Sequence, residues 1–142
     1  MTKNETLKLL ASIVPNTLME TLEIKYTDVG NDFLVATMPV NPRVHQPMGL
    51  LHGGATVALA ESVGSTASHL FVDNEKYEVR GIEISANHVR SKKEGLVTAT
   101  ARVLHKGKRT HLWEIRIEDE EKRLISLCKL TNIVLLKEGM SI

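Results

Sequence analysis

The segment QPMGLLHGGA at residues 46–55, followed by LAESVGS at residues 59–65, indicates how this chain folds. Residues 41–51 contain two prolines, one glycine and no hydrophobic period, which predicts a loop. Residues 54–72 are apolar on almost every side, and a helix of that kind is buried on most of its surface. The sequence therefore predicts a loop that leads into one long, buried helix, which ends at Asp73 and Asn74.

Six β-strands are predicted around this helix. Residues 22–28 and 33–40 precede it and form a hairpin about a turn at residues 30–32. In the second half, apolar and polar residues alternate with a period of two, which is typical of strands with one buried and one wetter face. The strands predicted there cover residues 79–90, 97–103, 113–117 and 124–135.

The predicted order is a short amphipathic helix over residues 5–14, two strands, the long helix and four more strands. An antiparallel sheet wrapped around one central helix buries such a helix, so the predicted class is α+β, in a single domain over residues 1–142. The apolar outer side of the helix and the strand edges predict a partner chain as well.

Glu61 is the main catalytic candidate because it is the one carboxylate within the predicted long helix. A carboxylate among small apolar neighbours loses hydration and needs partners. Ser65 lies one turn further along the same face and can hydrogen-bond the carboxylate or a nearby water. A lone glutamate in a helix more often belongs to a narrow solvated stripe, so it is the surroundings of Glu61 that make it a candidate.

His52, Gly53 and Gly54 begin the same helix. Two glycines let the backbone approach a ligand closely, and the N–H groups at a helix start point outward along the helix dipole. Such donors suit the oxyanion that forms in acyl transfer. A tight turn from loop to helix explains the glycines equally well. Gln46 and His52 are additional neutral donors in the preceding loop.

Gly53 and Glu61 are about 12 Å apart along a helix, because each residue advances the helix by about 1.5 Å. They therefore cannot both contact one reacting carbon from the same chain. If both are catalytic, the site is composite, with Gly53 and Gln46 from one subunit and Glu61 and Ser65 from another. The spacing thus predicts a dimer.

Residues 46–65 resemble the signature of hotdog-fold acyl-CoA thioesterases of the phenylacetic-acid-degradation type. The resemblance extends to ATMPV at residues 36–40, to ANHVRS at residues 86–91 and to the last strand. Within the family it is strongest to the 1,4-dihydroxy-2-naphthoyl-CoA hydrolases of menaquinone synthesis, whose siblings act on aryl-enterobactin precursors and phenylacetyl-CoA. The resemblance implies a hotdog fold, acyl-CoA hydrolysis, and dimers with face-to-face helices that pair into homotetramers.

The same resemblance implies a role for each matching residue of the site. Glu61 is expected to be the nucleophile or the general base. The Gly53 amide and Gln46 are expected to polarise the thioester carbonyl, and His52 to help position it. Ser65 is expected to orient the attacking water or the carboxylate.

Two basic clusters are candidates for binding the phosphates of CoA. His88 and Arg90 are two residues apart in a predicted strand, so both point the same way. The other cluster is a predicted hairpin turn formed by Lys106, Gly107, Lys108 and Arg109. Each cluster alone is typical of a solvated surface, but together they suit phosphate groups. The resemblance places CoA contacts in both segments.

The acyl pocket is predicted to lie against the central helix, beside Met48, Leu50 and Val63. These side chains are apolar, which favours an aromatic or medium-chain acyl group. Because CoA is part of the substrate, no separate cofactor is expected. The six histidines lack the spacing of zinc ligands, so no metal is expected either.

Composition excludes several partners. With 18 basic and 17 acidic side chains the net charge is +1, so no global positive field attracts nucleic acid. No apolar run is long enough to span a membrane, and residues 1–13 lack the apolar region of a signal peptide. Cys128 is the single cysteine and cannot form an intrachain disulfide. We therefore expect a cytoplasmic protein that binds neither nucleic acid nor membrane.

Two other functions remain open from the sequence. A hydratase or dehydratase of acyl thioesters needs an acid–base pair, which His52 and Glu61 can supply across an interface. A non-catalytic acyl-CoA binder would be indifferent to Glu61→Gln. A serine hydrolase is disfavoured because the Gly-x-Ser-x-Gly motif is missing.

Overall fold

The computed structural model describes residues 1–141, and its main feature is an antiparallel six-stranded sheet with one long helix packed against it. The strand order is β1-β2-β4-β5-β6-β3. The strands are β1 (Lys25–Val29), β2 (Phe33–Val40), β3 (Tyr77–His88), β4 (Gly95–Lys106), β5 (Thr110–Glu118) and β6 (Leu124–Leu136). The helices are α1 (Lys3–Ser12), α2 (Leu18–Thr21) and α3 (Gly53–His69), and a 3-10 turn covers Pro42–Val44.

The predicted α+β class and the order of the main elements are confirmed, with local differences. The long helix ends at His69 and not at residue 72, because the side chain of Asn74 donates to the carbonyl of His69 at 2.8 Å. The short helix α2 was not predicted. It lies just before β1 in the chain. Glu23, between the two elements, has a left-handed backbone conformation with a φ of 56°. None of the helices within residues 1–141 is long and apolar enough to cross a membrane.

Helix α3 lies close to the inner face of the sheet. Leu59, Ala60 and Val63 are fully buried in the core that it shares with the sheet. Gly64 permits the close approach, because a Cβ at that position would lie 2.7 Å from a methyl carbon of Leu130. Any larger residue there would push the helix and the functional groups it carries away from the sheet.

A buried polar network joins the last turns of α3 to β5 and β6. The Oγ of Ser68 accepts hydrogen bonds from Trp113 Nε1 at 2.8 Å and from Asn132 Nδ2 at 2.8 Å. The hydroxyl hydrogen of Ser68 therefore points to Nδ1 of His111, 2.9 Å away, and this nitrogen accepts the hydrogen bond. Burial lowers the pKa of His111, and the positive charge of Lys106 acts in the same direction.

We expect the free energy of unfolding to decrease as the pH falls below about 6.5, the ordinary pKa of histidine, because His111 is buried in its neutral form. Because the pKa of His111 is lowered by folding, the residue binds a proton less readily in the folded protein than in the unfolded chain. The unfolded state is then favoured by acid. Melting temperatures at about pH 7.5 and about pH 5.5 should differ more for the wild type than for His111→Gln, which cannot titrate. Equal differences in the two proteins would contradict this.

Strand β3 forms one edge of the sheet and is the strand nearest to the proposed catalytic groups. It pairs only with β6, and its residues 80–83 are exposed, including Ile82 at 58% exposure. A long strand with an unpaired edge is a template for pairing with another chain. Two of the approaches between the inner side of β3 and α3 are close: His88 lies against Gly53, and Gly81 lies against Glu61.

Candidate active site

Glu61 lies midway along α3, half-buried, with its carboxylate against the edge strand. Its Oε1 is 2.8 Å from the position that a Cβ on Gly81 would occupy, so a larger residue at Gly81 would displace the carboxylate. Within residues 1–141 it forms no ion pair. Glu61 and Ser65 line one cleft of about 450 Å³, together with residues of α2 and of the segment that connects α1 to α2. The two side chains thus face the same cleft, as their spacing along the helix predicted.

A different cleft, of about 370 Å³ and called the first cleft from here on, lies at the start of α3 and the end of β3. It brings together three of the predicted polar residues with Gly53. The residues that line it are Gln46, Leu50, Leu51, Gly53, Thr56, His88, Val89, Arg90, Ser91 and Ile125.

The hydrogen-bond donors at this cleft are fixed by the loop that precedes α3. His52 caps the helix, with its Nδ1 accepting from the Gly54 N–H at 2.8 Å, so in the neutral ring the hydrogen is on Nε2. The Gly53 N–H donates to no carbonyl within residues 1–141. The Oε1 of Gln46 accepts from the Met48 N–H, which leaves the Gln46 Nε2 to donate elsewhere. This arrangement supplies two neutral donors of the kind that stabilise an oxyanion.

His88 faces the same cleft in a defined tautomer. The hydroxyl of Ser126 donates to the carbonyl of Asn87 at 3.2 Å, so its oxygen accepts from Nδ1 of His88 at 2.9 Å. The other ring nitrogen, Nε2, lies 2.8 Å from the position that a Cβ on Gly53 would occupy. The His88 ring occupies the space that a side chain at position 53 would need, so His88 lies directly beside Gly53.

The two clefts are separate within one subunit. Gln46 and Gly53 line the first, whereas Glu61 and Ser65 line the other. The structure therefore agrees with the distance argument, because the carboxylate and the donors do not meet inside a single chain. Both groups nevertheless lie above the exposed edge strand β3.

The basic clusters also lie apart within one chain. Strand β3 ends at His88, so the prediction that Arg90 follows it in the strand was wrong, although both residues line the first cleft. The turn after Lys106 lies at the other end of the sheet: His88 pairs with Ser126 near the start of β6, and Thr110 pairs with Ile133 near its end. At about 3.3 Å per residue, the clusters are on the order of 20 Å apart along the strand.

The residues of the basic turn have neighbours of their own. The ammonium of Lys106 lies 4.1 Å from the centre of the Phe71 ring, a cation–π contact. Lys108 and Arg109 line a third, largely apolar cleft of about 560 Å³ with Tyr77 and the end of β6. The predicted turn at Gly107 is confirmed, but one subunit does not join it to His88 and Arg90.

Residues 48–126 match the protein-family model described as "Thioesterase superfamily". The chain belongs to the thioesterase superfamily. It is 46% identical to the 1,4-dihydroxy-2-naphthoyl-CoA hydrolase of Escherichia coli over 130 residues, which cover 92% of this chain and 95% of that protein.

Solved structures of other superfamily members agree in fold. A Pseudomonas aeruginosa thioesterase that carries a glutamine-to-alanine substitution matches with a TM-score of 0.90 at 42% identity, covering 92% of this chain and 94% of that one. A Staphylococcus aureus thioesterase, solved as a glutamine-to-alanine mutant, matches at 40% identity with a TM-score of 0.81, covering 82% of this chain and 97% of that one. Its glutamate-to-alanine mutant matches at 40% identity with a TM-score of 0.84, covering 85% and 100%. The predicted hotdog fold and thioester hydrolase are confirmed.

The predicted acyl-pocket residues of this thioesterase are found in three different environments. Leu50 lines the first cleft. Met48 is 80% exposed on the loop, outside the described clefts. Val63 is fully buried in the core, so the structure does not bring it to a substrate surface. Val63 was assigned to the pocket because it is an apolar residue of the long helix, but its side chain packs in the core that α3 shares with the sheet.

Sequence reasoning missed the polar residues that support the site from β6 and β3. Ser126 orients His88, Gly81 accommodates Glu61, and Asn132, which pairs with Gly81, is fully buried. Asn132 interrupts the inward-facing alternation of Cys128, Leu130 and Val134. A polar amide in such a series was the signal available, because a buried amide needs hydrogen-bond partners.

Proposed function

We propose that this thioesterase hydrolyses aromatic or medium-chain acyl-CoA esters in a site shared by two subunits. One observation carries the proposal: the carboxylate of Glu61 and the donors Gln46 and Gly53 lie in separate clefts of one chain, both above the exposed strand β3. A second copy placed on that edge brings the two halves together.

A two-fold axis supplies the required geometry. If β3 pairs with β3 of the second copy, the two α3 helices run antiparallel beside each other. An axis that passes near Val57 then places Gly53 of one helix level with Glu61 of the other. The dimer has two identical sites, and each takes its donors from one subunit and its carboxylate from the other. A homotetramer made of two such dimers is expected, and light scattering in solution measures its mass.

Hydrolysis in this site begins with polarisation of the thioester carbonyl. Its oxygen accepts hydrogen bonds from the Gly53 N–H and from Gln46 Nε2, which stabilise the negative charge that develops there. Glu61 of the facing subunit either attacks the carbonyl carbon and forms a mixed anhydride, or removes a proton from an attacking water. In both routes the carbon–sulfur bond breaks, and the products are the free acid and CoA.

The substrate class follows from the first cleft and the relatives. Its apolar residues are Leu50, Leu51, Val89 and Ile125. His88 and Arg90 supply basic groups for the CoA portion. The similarity to the Escherichia coli 1,4-dihydroxy-2-naphthoyl-CoA hydrolase supports a fused aromatic acyl group. We extend the proposal to a place in menaquinone synthesis, which the family resemblance of residues 46–65 implies.

The proposal is tested by release of free thiol from a panel of acyl-CoA esters, followed with a disulfide chromogen. The panel comprises 1,4-dihydroxy-2-naphthoyl-, benzoyl-, phenylacetyl- and hexanoyl-CoA. We expect thiol release, with the highest kcat/KM for the aromatic esters. Thiol release from none of them would contradict the proposed substrate class, and a change in enoyl absorbance without thiol release would indicate a hydratase.

A further inference from the structure

Asn132 carries a buried acceptor atom that no group in residues 1–141 satisfies. Its Nδ2 donates to the carbonyl of Gly64 at 3.2 Å and to Oγ of Ser68 at 2.8 Å. Because a carbonyl can only accept, the amide presents Nδ2 to Gly64, and this fixes Oδ1 on the opposite side. The orientation of Oδ1 is thus decided by its neighbours.

The oxygen of Asn132 lies where the carboxylate of Glu61 meets the sheet. Gly81 and Asn132 are directly paired on β3 and β6. The position of a Cβ on Gly81 is 2.8 Å from Oε1 of Glu61 and 3.6 Å from Oδ1 of Asn132. Two acceptor oxygens therefore converge on one point. Buried acceptors in proteins are normally paired with a donor, and of these two groups only Glu61 can gain a hydrogen.

We propose that Asn132 is a positioning residue that accepts a hydrogen bond from Glu61 when Glu61 becomes protonated during thioester hydrolysis. The proposal rests on the proposed function of Glu61 and selects its role as general base. The mixed-anhydride route creates no acid hydrogen on Glu61 in its first step, so Oδ1 would have nothing to accept.

In this step a proton moves from the attacking water to Glu61 and then to the sulfur of CoA. An O–H bond of the attacking water breaks, its proton goes to Glu61, and the water oxygen bonds to the thioester carbon while the carbonyl electrons move to oxygen. The hydrogen on Glu61 then points to Oδ1 of Asn132. When the carbon–sulfur bond breaks, the sulfur of CoA leaves with the bonding electrons and takes this proton from Glu61.

Few other charges face Glu61. His69, on the same helix, is the other titratable residue that lines its cleft, and the lining residues from α2 and from the segment between α1 and α2 are uncharged. On β3, Arg80 and Glu83 flank the Gly81 region, and Arg80 is paired with Glu78 at 2.8 Å. On β6, the neighbours Leu130 and Asn132 are uncharged.

The test is the pH dependence of kcat, whose acid limb reports protonation of Glu61 in the enzyme–substrate complex. In Asn132→Ala the acid form of Glu61 loses its acceptor, so the ionised form is relatively favoured. We expect the acid limb to move to lower pH by about 0.5 to 1 unit, the size of one net hydrogen bond. The plateau value of kcat should fall several-fold.

The matched control is Ser68→Ala, which breaks the same network at Nδ2 and leaves Oδ1 in place. We expect it to lower the melting temperature without moving the acid limb. If Asn132→Ala does not fold, Asn132→Asp keeps the size of the side chain and should move the acid limb to higher pH, because a second carboxylate faces Glu61.

The outcomes separate this proposal from the one it rests on. A wild-type acid limb in a folded Asn132 variant overturns the role of Asn132 while the function of Glu61 stands. Full activity of Glu61→Gln instead overturns the proposed function itself.

Discussion

Replacement of Glu61 by glutamine is expected to lower kcat for acyl-CoA hydrolysis by on the order of 10²- to 10⁴-fold, the range for loss of a general base. Glutamine keeps the shape of the side chain but can neither attack the carbonyl nor accept a proton from water. KM should change by only a few-fold, because the donors and apolar residues of the first cleft are untouched. Steady-state thiol release with the preferred ester of the panel measures both constants.

The control for this substitution is Glu75→Gln, the same chemical change at an exposed residue that lines neither cleft. We expect it to retain wild-type activity. Retention of activity by Glu61→Gln would show that the carboxylate is not required. Loss of its activity together with a lower melting temperature would indicate unfolding, so both variants are melted in parallel.

Replacement of Gln46 by alanine is expected to lower kcat by on the order of 10²-fold, as for the loss of one oxyanion donor. The structure leaves Nε2 of Gln46 to donate because Oε1 is held by the Met48 N–H. Alanine removes both the donor and this support for the loop. Thiol release under saturating substrate measures the effect.

Gln46→Glu separates the two roles of this residue. Glutamate can still accept from the Met48 N–H, so the loop keeps its support, but the donor is lost and a negative charge faces the oxyanion. We expect this variant to be at least as impaired as Gln46→Ala. A Gln46→Glu variant with wild-type kcat would show that Gln46 acts through the loop and not on the carbonyl.

Much of the fold was predictable because its signals are local. The alternation in the second half predicts β4, β5 and β6 directly, and the apolar run after Gly53 predicts α3. The short helix α2 was missed because residues 18–21 are too few to show a helical period. The end of α3 depends on a hydrogen bond from Asn74, which sequence alone does not reveal.

The residues of the candidate site could be selected from the sequence, but their arrangement in space could not. Gly53 and Glu61 were selected by residue type and helix position, and their separation followed from helix geometry. The contacts of Glu61 with Gly81 and of His88 with Ser126 join segments that are distant in sequence. Only the register of β3 on β6 brings these residues together, and no local pattern records that register.

The most direct test of the shared site is to mix two inactive variants. Glu61→Gln and Gln46→Ala are co-expressed in equal amounts, so that subunits pair at random. With donors and carboxylate from different subunits, about a quarter of the sites contain neither substitution, and activity should recover to about a quarter of the wild-type value. If each site lies within one subunit, every site carries a substitution. Activity no higher than the average of the two variants alone would then contradict the shared site.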